Sequence, residues 1–212
     1  NSPTNILTFE QIEENKKSYK KICKSIGINY NDIVKTNQVH KDVIKNVENK
    51  INEFEPDFYE KAYDQTDGLI TNKSNIALCA TNADCIVLMM YDAQKHVIAN
   101  VHSGWKGTVQ KIASKTIDKM QEQYNCNPKD IICCISPSIR ECHFEVDQDV
   151  KDAFLEAFPK ETDSIKQAHE KWHIDTVRIN IEMLKEKGLK EENIIDSKIC
   201  TVCNCSQIHS YR

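Results

Sequence analysis

The chain has 212 residues, of which 40% are hydrophobic and 28% charged. That is enough for one domain over residues 1–212 with a sizeable core, and too apolar for a disordered chain, yet no apolar run approaches the roughly 20 residues a membrane-spanning helix needs. Lys and Arg total 28 against 32 Asp and Glu, a formal net charge of −4, and no long block of one sign occurs, so neither a nucleic-acid surface nor a membrane surface is expected.

Taken in chain order, the first 26 residues carry helical spacing: Phe9, Ile12, Tyr19, Ile22, Cys23 and Ile26 recur every three to four positions, and Gly27 is placed to end the helix. Extended stretches follow at 32–38 and 42–47, with His40 between them, and 49–65 reads as a polar loop or short helix. Residues 76–81, 86–91 and 97–101 are apolar runs of strand length, continuous enough to suggest strands covered on both faces, with a turn at 92–95. A helix is predicted over 108–124, its inner face made by Val109, Ile112, Ala113, Thr116, Ile117 and Met120. Another strand (131–135), two helices (148–158 and 176–187, the second stopped by Gly188) and a late strand (194–199) complete an α/β pattern with a mixed sheet.

Ten cysteines would suit a secreted disulfide scaffold only in a small, loop-rich chain, which this is not. Cys79, Cys85, Cys133 and Cys134 sit in apolar runs, where a thiol acts as a small hydrophobe. A reducing compartment, the cytoplasm, is therefore expected. The chain starts Asn-Ser-Pro without Met, so a removed targeting segment is left open.

Glycine is scarce, and three of the five fall beside reactive groups, in Thr66-Asp67-Gly68 and in His102-Ser103-Gly104-Trp105-Lys106-Gly107-Thr108. A glycine-rich turn opening a helix can present free N–H groups to phosphate, with Lys106 adding charge; such turns also serve simply to reverse the chain. His40, Cys85 and His102 flank strands. Two imidazoles and a thiolate suit zinc and leave a fourth position open, but spacings of 45 and 17 residues are no local motif, and a buried thiol with two solvent-facing histidines is the plainer alternative. Cys200-Thr-Val-Cys203-Asn-Cys205, with His209 nearby, is a lone CxxC that could bind a second metal or form a redox pair; Cys126, Cys133, Cys134 and Cys142 could join only if the fold allows.

Gln38-Val39-His40, Thr66-Asp67-Gly68-Leu69, Ala83-Asp84-Cys85 and the 102–108 segment together resemble the laccase-domain family. That family is also called multicopper polyphenol oxidase and peptidoglycan-editing factor, and it includes purine nucleoside phosphorylases. The likeness continues through Ser136-Pro137-Ser138-Ile139, Cys142-His143-Phe144-Glu145-Val146, Asp175 with Asn180, Cys200-Thr201 and Ser210-Tyr211-Arg212, so it covers most of the chain in the family's order. Departures are Lys41 for a Gly, Lys106 for an Arg, Ser136 for a Gly and Phe144 for a Tyr; Lys106 keeps charge but loses planar bidentate recognition. The family's Arg-Gly-Gly segment and its tail after Ser-Tyr-Arg are not in this chain, so missing terminal segments are expected.

The resemblance implies a four-layer α/β/β/α sandwich with mixed sheets and one zinc held by His40, Cys85 and His102. It implies phosphorolysis of adenosine, inosine, guanosine or methylthioadenosine, with adenosine deamination as companion. Deamination at C6 of adenine needs an activated water and a proton shuttle; Asp84, beside Cys85, is a candidate for that shuttle or for orienting a ligand. Lys106 and the amides of Gly107 and Thr108 are expected to hold phosphate, and Trp105 to close over a bound ring. A copper-dependent polyphenol oxidase is the rival; a four-copper enzyme needs on the order of ten His and this chain has seven, though copper could enter the His-Cys-His site. A hydrolase using Cys85 as nucleophile, with His102 or His40 as base, competes for the same residues. Small-molecule purine nucleosides and phosphate are the expected partners, and the oligomeric state stays open.

Overall fold

The computed structural model describes residues 9–48 and 64–212. In chain order its elements are α1 (Phe9–Ile26), β1 (Ile33–Lys35), β2 (Ile44–Asn46), β3 (Gly68–Thr71), β4 (Ala77–Cys79), β5 (Ile86–Asp92), β6 (Val97–Ser103), α2 (Trp105–Val109), α3 (Ile112–Tyr124), β7 (Ile131–Ile135), β8 (Glu145–Val146), α4 (Gln148–Ala157), β9 (Ile165–Ala168), β10 (Lys171–Ile174), α5 (Thr176–Glu186) and β11 (Ile194–Asp196). The reading of 49–65 falls, but for its last two residues, outside the described residues, as do the side chains of Phe9 and Ile12.

The fold is a mixed α/β arrangement around a six-stranded sheet of order β11-β7-β5-β6-β3-β2. The outer pairs β11–β7 and β2–β3 are parallel, and β5 is antiparallel to both β6 and β7. Strand alternation sends Val97, Ala99 and Val101 of β6 to one face, where they join Ile112, Ile117 and Met120 of α3 and Val177, Ile179 and Met183 of α5 in the main core. On the opposite face Leu69 of β3 packs with Val34, Val47 and Leu78, so the small parallel sheet β1–β4 covers this end. Behind it lies α1: the Tyr19 ring sits 5.5 Å from Lys35 Nζ, and its hydroxyl reaches the Cys79 side chain. The helix, sheet, sheet, helix order expected from the family resemblance is met here. A third sheet, β8-β10-β9, is antiparallel.

Three expectations need correction. The helix foreseen over 108–124 begins at Trp105 and is two helices, because Lys111 adopts a left-handed backbone (φ 62°) that redirects the chain between α2 and α3. The apolar spacing continues through the break, so periodicity alone does not reveal it. Coverage on both faces, expected for 76–81, 86–91 and 97–101, holds for β6, where no residue is exposed, but not for β5, where Met89 and Tyr91 are exposed; Ile132 on β7 and Ile195 on β11 face solvent as well. Antiparallel pairing permits one solvated face. Finally β3, β8, β9 and β10 were not foreseen: β3 has four residues and opens on glycine, and the other three are short and polar.

Candidate metal centre

The centre is assembled where β3, β5 and β6 start or end. His102 is the penultimate residue of β6, paired with Val87 of β5, and its backbone N–H donates to the Asp67 carbonyl at 2.7 Å. Asp67 immediately precedes β3 and is fully buried. Its Oδ1 lies 2.9 Å from His102 Nδ1, which fixes the imidazole's orientation and leaves Nε2 as the donor atom; a carboxylate behind a ligand histidine is the usual support of a metal site.

The same carboxylate organises the second histidine. Backbone N–H groups of Val39, His40 and Lys41 donate to Asp67 at 3.3, 2.9 and 2.8 Å. His40 there takes a left-handed backbone conformation (φ 59°), uncommon for a residue with a side chain and held in place by those bonds. Gln38 locks the loop from outside, with Nε2 donating to Thr81 O and Oε1 accepting from Thr81 N, both at 2.8 Å. The two imidazoles meet edge to face, centroids 4.9 Å apart.

Cys85 precedes β5, and Asn82 Nδ2 donates to its carbonyl at 2.7 Å. One donor atom from each of His40, Cys85 and His102 lies within 4.8 Å of the others. All three converge on Gly104: a Cβ there would stand 3.1 Å from His40 Cδ2, 3.2 Å from Cys85 Sγ and 3.4 Å from His102 Cε1. Glycine is required at this position by the side chains gathered over it, and the chain reverses there into α2.

The electrostatics reinforce one another. Burial would raise the Asp67 carboxyl, but hydrogen bonds from His102 and from the amides of 39–41 hold it below the usual carboxylate range. Burial would lower His102, yet Asp67 and Cys85 bring it up to about 9. Burial opposes the Cys85 thiolate, and hydrogen bonds from His102 and His40 bring its pKa down to about 7. A thiol poised this way is a ready metal ligand or nucleophile.

Beside the centre a cleft opens to solvent, lined by Cys85, Ser103, Trp105, Phe144, Thr176 and Arg212 among others. Trp105 therefore lines the cleft. Lys106 is exposed, its Nζ 5.4 Å from the Trp105 ring centroid, and does not line the cleft. Gly107 is packed against Lys41 O, where a Cβ would come within 3.1 Å. Thr108 is fully buried, its N–H and hydroxyl both donating to Gly104 O at 2.8 and 3.1 Å, with Ser103 and Asn180 completing the network. Asp84, in a left-handed backbone conformation (φ 80°), accepts from Thr201 Oγ1, Ser210 Oγ and Tyr211 N at 2.6, 2.7 and 2.7 Å. Burial would raise its carboxyl, but these donors and nearby Arg212 hold it below the usual range. Two functional candidates were missed as individual residues: Asp67, flagged only by its Thr-Asp-Gly setting, and Arg212, seen only as the end of a motif.

The family model for multi-copper polyphenol oxidoreductase laccase matches residues 8–212. The chain is 35% identical over 156 residues to a Bacillus subtilis (strain 168) protein named purine nucleoside phosphorylase YlmD, covering 73% of this chain and 56% of that one, so it spans little more than half of that relative's length. It is 28% identical over 193 residues to adenosine deaminase RL5 from an unknown prokaryotic organism, covering 90% of this chain and 73% of that protein. Among solved structures, the hypothetical protein YfiH of Bacillus licheniformis superposes with a TM-score of 0.86 at 29% identity, over 94% of this chain and 76% of that one.

Proposed function

The chain belongs to the multi-copper polyphenol oxidoreductase laccase family, and from that membership we propose a metal-dependent enzyme of purine nucleoside metabolism. It phosphorolyses adenosine, inosine, guanosine or methylthioadenosine, with adenosine deamination as companion, in one domain. The observation that carries this reading is the convergence of two imidazoles and a low-pKa thiol over Gly104, beside an open cleft.

This donor set would fit zinc: nitrogen and sulfur ligands, three of them from protein, with Cys85 also lining the cleft. Bound there, zinc supplies a Lewis acid next to the substrate. Asp67 keeps His102 Nε2 and the His40 loop in register for it. Trp105, Ile139 and Phe144 give the cleft apolar walls against which a purine ring can lie. Arg212 lines the same cleft; its Nη2 donates to Glu145 O at 3.1 Å, and the remaining donors of its planar fork suit phosphate. In phosphorolysis it orients the phosphate that attacks the ribose C1′ as the purine departs. Lys106, outside the cleft lining, keeps its positive charge beside the Trp105 ring. The amide of Thr108 is already spent within α2, so the phosphate role expected of it passes to Arg212. Asp84, ionised and held by three donors, acts by anchoring the segment that carries Arg212 more readily than by moving a proton.

Cys85, His102 and Asp67 also form a thiol–imidazole–carboxylate series, the arrangement of a cysteine hydrolase. The second imidazole on the same sulfur favours a metal. Metal analysis of protein purified without added metal, followed by chromatography of adenosine incubated with and without phosphate, tests the reading. Zinc in the protein and adenine formed only with phosphate support it, and inosine in either buffer adds deamination. Copper with phenol oxidation and no nucleoside turnover would favour the rival; metal-free protein inert to nucleosides would overturn the metal-dependent reading.

A further inference from the structure

Away from the cleft floor, the turn 140–144 and the segment 200–208 bring four more soft donors together. Cys142 Sγ lies 3.7 Å from Cys200 Sγ and 3.9 Å from Cys203 Sγ. His143 Nδ1 lies 3.2, 3.6 and 3.5 Å from Cys142, Cys200 and Cys203, and all four donors fall within 4.8 Å of one another. The ligands are 57 to 61 residues apart in sequence across the two segments, so only the fold unites them. Cys205 and His209, neighbours in the sequence, stay outside the group; the His209 ring packs on Tyr211.

The distances select among explanations. A disulfide needs sulfurs at about 2.05 Å, and a hydrogen-bonded chain of four groups needs only three short contacts. Here five donor–donor distances are short, which describes a closed polyhedron. A tetrahedral zinc with Zn–S of about 2.3 Å and Zn–N of about 2.0–2.1 Å has edges near 3.8 Å between sulfurs and near 3.6 Å between sulfur and nitrogen. The sulfur–sulfur edges of 3.7 and 3.9 Å straddle the first value, and the sulfur–nitrogen edges of 3.2, 3.5 and 3.6 Å reach the second from below. We propose that Cys142, His143, Cys200 and Cys203 form a second metal site, a closed Cys3His tetrahedron for one zinc-like divalent cation with a structural role.

The backbone around the four ligands is built to hold them. Ser138 and Cys200 form a parallel bridge, with Thr201 N donating to Ser138 O at 3.1 Å and Ser138 N to Ile199 O at 3.2 Å. Arg140 clamps Asp196 with two hydrogen bonds of 2.9 and 2.6 Å, while His143 N donates to Arg140 O at 2.9 Å. Asn204 caps the Cys200 carbonyl through both its side chain and its backbone. Four protein donors leave no coordination position for a substrate, which marks a structural site.

Its position gives it a task. Thr201 stands between two of the ligands, and its hydroxyl donates to Asp84, next to Cys85. The same segment continues to Ser210 and Tyr211, which donate to Asp84, and to Arg212, which lines the cleft. The cation therefore staples the segment that anchors Asp84 and brings Arg212 to the cleft.

Zinc analysis with X-ray absorption at the zinc edge on the unaltered chain decides the matter without relying on any variant's folding. Two filled sites give about two zinc per chain and an average of about two sulfur ligands per zinc. His40→Ala should leave about one zinc, with its sulfur number rising toward three, whereas the pair Cys142→Ser and Cys203→Ser should leave about one zinc with about one sulfur. One zinc with three sulfurs in the unaltered chain keeps this site and removes the other. One zinc with a single sulfur overturns the proposal, as does a disulfide mapped between Cys142 and Cys200 or Cys203 in protein isolated with reductant and without oxygen.

Discussion

The two donor clusters of this molecule are built in opposite ways. His40, Cys85 and His102 sit around the ends of sheet strands, and one buried carboxylate reaches both histidine segments. Cys142, His143, Cys200 and Cys203 sit on turns and are held by main-chain bonds between those turns. The first has three donors with a cleft beside it, the second four donors and no free side. The contrast teaches what distinguishes a place for chemistry from a fastening: openness and a preorganised outer partner in one, closure by the ligands themselves in the other.

The harshest way to break this contrast is Asp67→Asn. It removes the charge facing His102 and three backbone N–H groups, so a loss of about 3–5 kcal/mol is expected in denaturant melts, with at least a ten-fold fall in metal affinity at the first centre only. Unchanged affinity there would show that Asp67 is not its organiser. Gly104→Ala is next: overpacking against three side chains should cost about 1–3 kcal/mol and deplete the first centre of metal while the cysteine cluster keeps its own. Thr201→Val tests the link between the two regions. Losing a bond to an ionised carboxylate should cost about 1.5–3 kcal/mol and raise the KM for phosphate more than it lowers kcat.

Titration sharpens the comparison in metal-free protein. Because His102 is raised to about 9 from an ordinary value near 6.5, its pairing stabilises the fold fully below about pH 6.5 and is lost as pH rises through about 9. The partner thiol Cys85, brought down to about 7, should alkylate with a midpoint near pH 7, and Asp67→Asn should move that midpoint upward by weakening His102 as its partner. A midpoint near 9 in the parent protein would contradict the described contacts. The smallest effect belongs to the open sheet face, where Ile195→Thr should stay within about 0.5 kcal/mol and alter neither metal content nor turnover.

Much of this architecture is legible in the sequence. The helices at 148–158 and 176–187 and the strand at 131–135 match α4, α5 and β7 closely, because long periodic runs with a stop such as Gly188 (φ 95°) carry their own boundaries. The three donors of the first centre were named, but spacing alone left them undecided, and only the family resemblance joined them. What could not be read were relations between distant residues: that Asp67 serves two histidines, that Arg212 enters the cleft, and that Cys142 and His143, not Cys205, complete the Cys200–Cys203 pair. Lys111 shows the local limit, since one left-handed residue turns the chain without disturbing an apolar period.

The carboxylate of Asp67 also bears on how portable the first centre is. Its partners lie 26 to 28 residues away on one side and 35 on the other. A linear peptide covering 84–108 would carry Cys85, His102 and Gly104 but neither His40 nor the group that aims His102. The smallest unit that could be grafted onto another scaffold is therefore a spatial one: the adjoining ends of β3, β5 and β6 with the 38–41 loop laid across them.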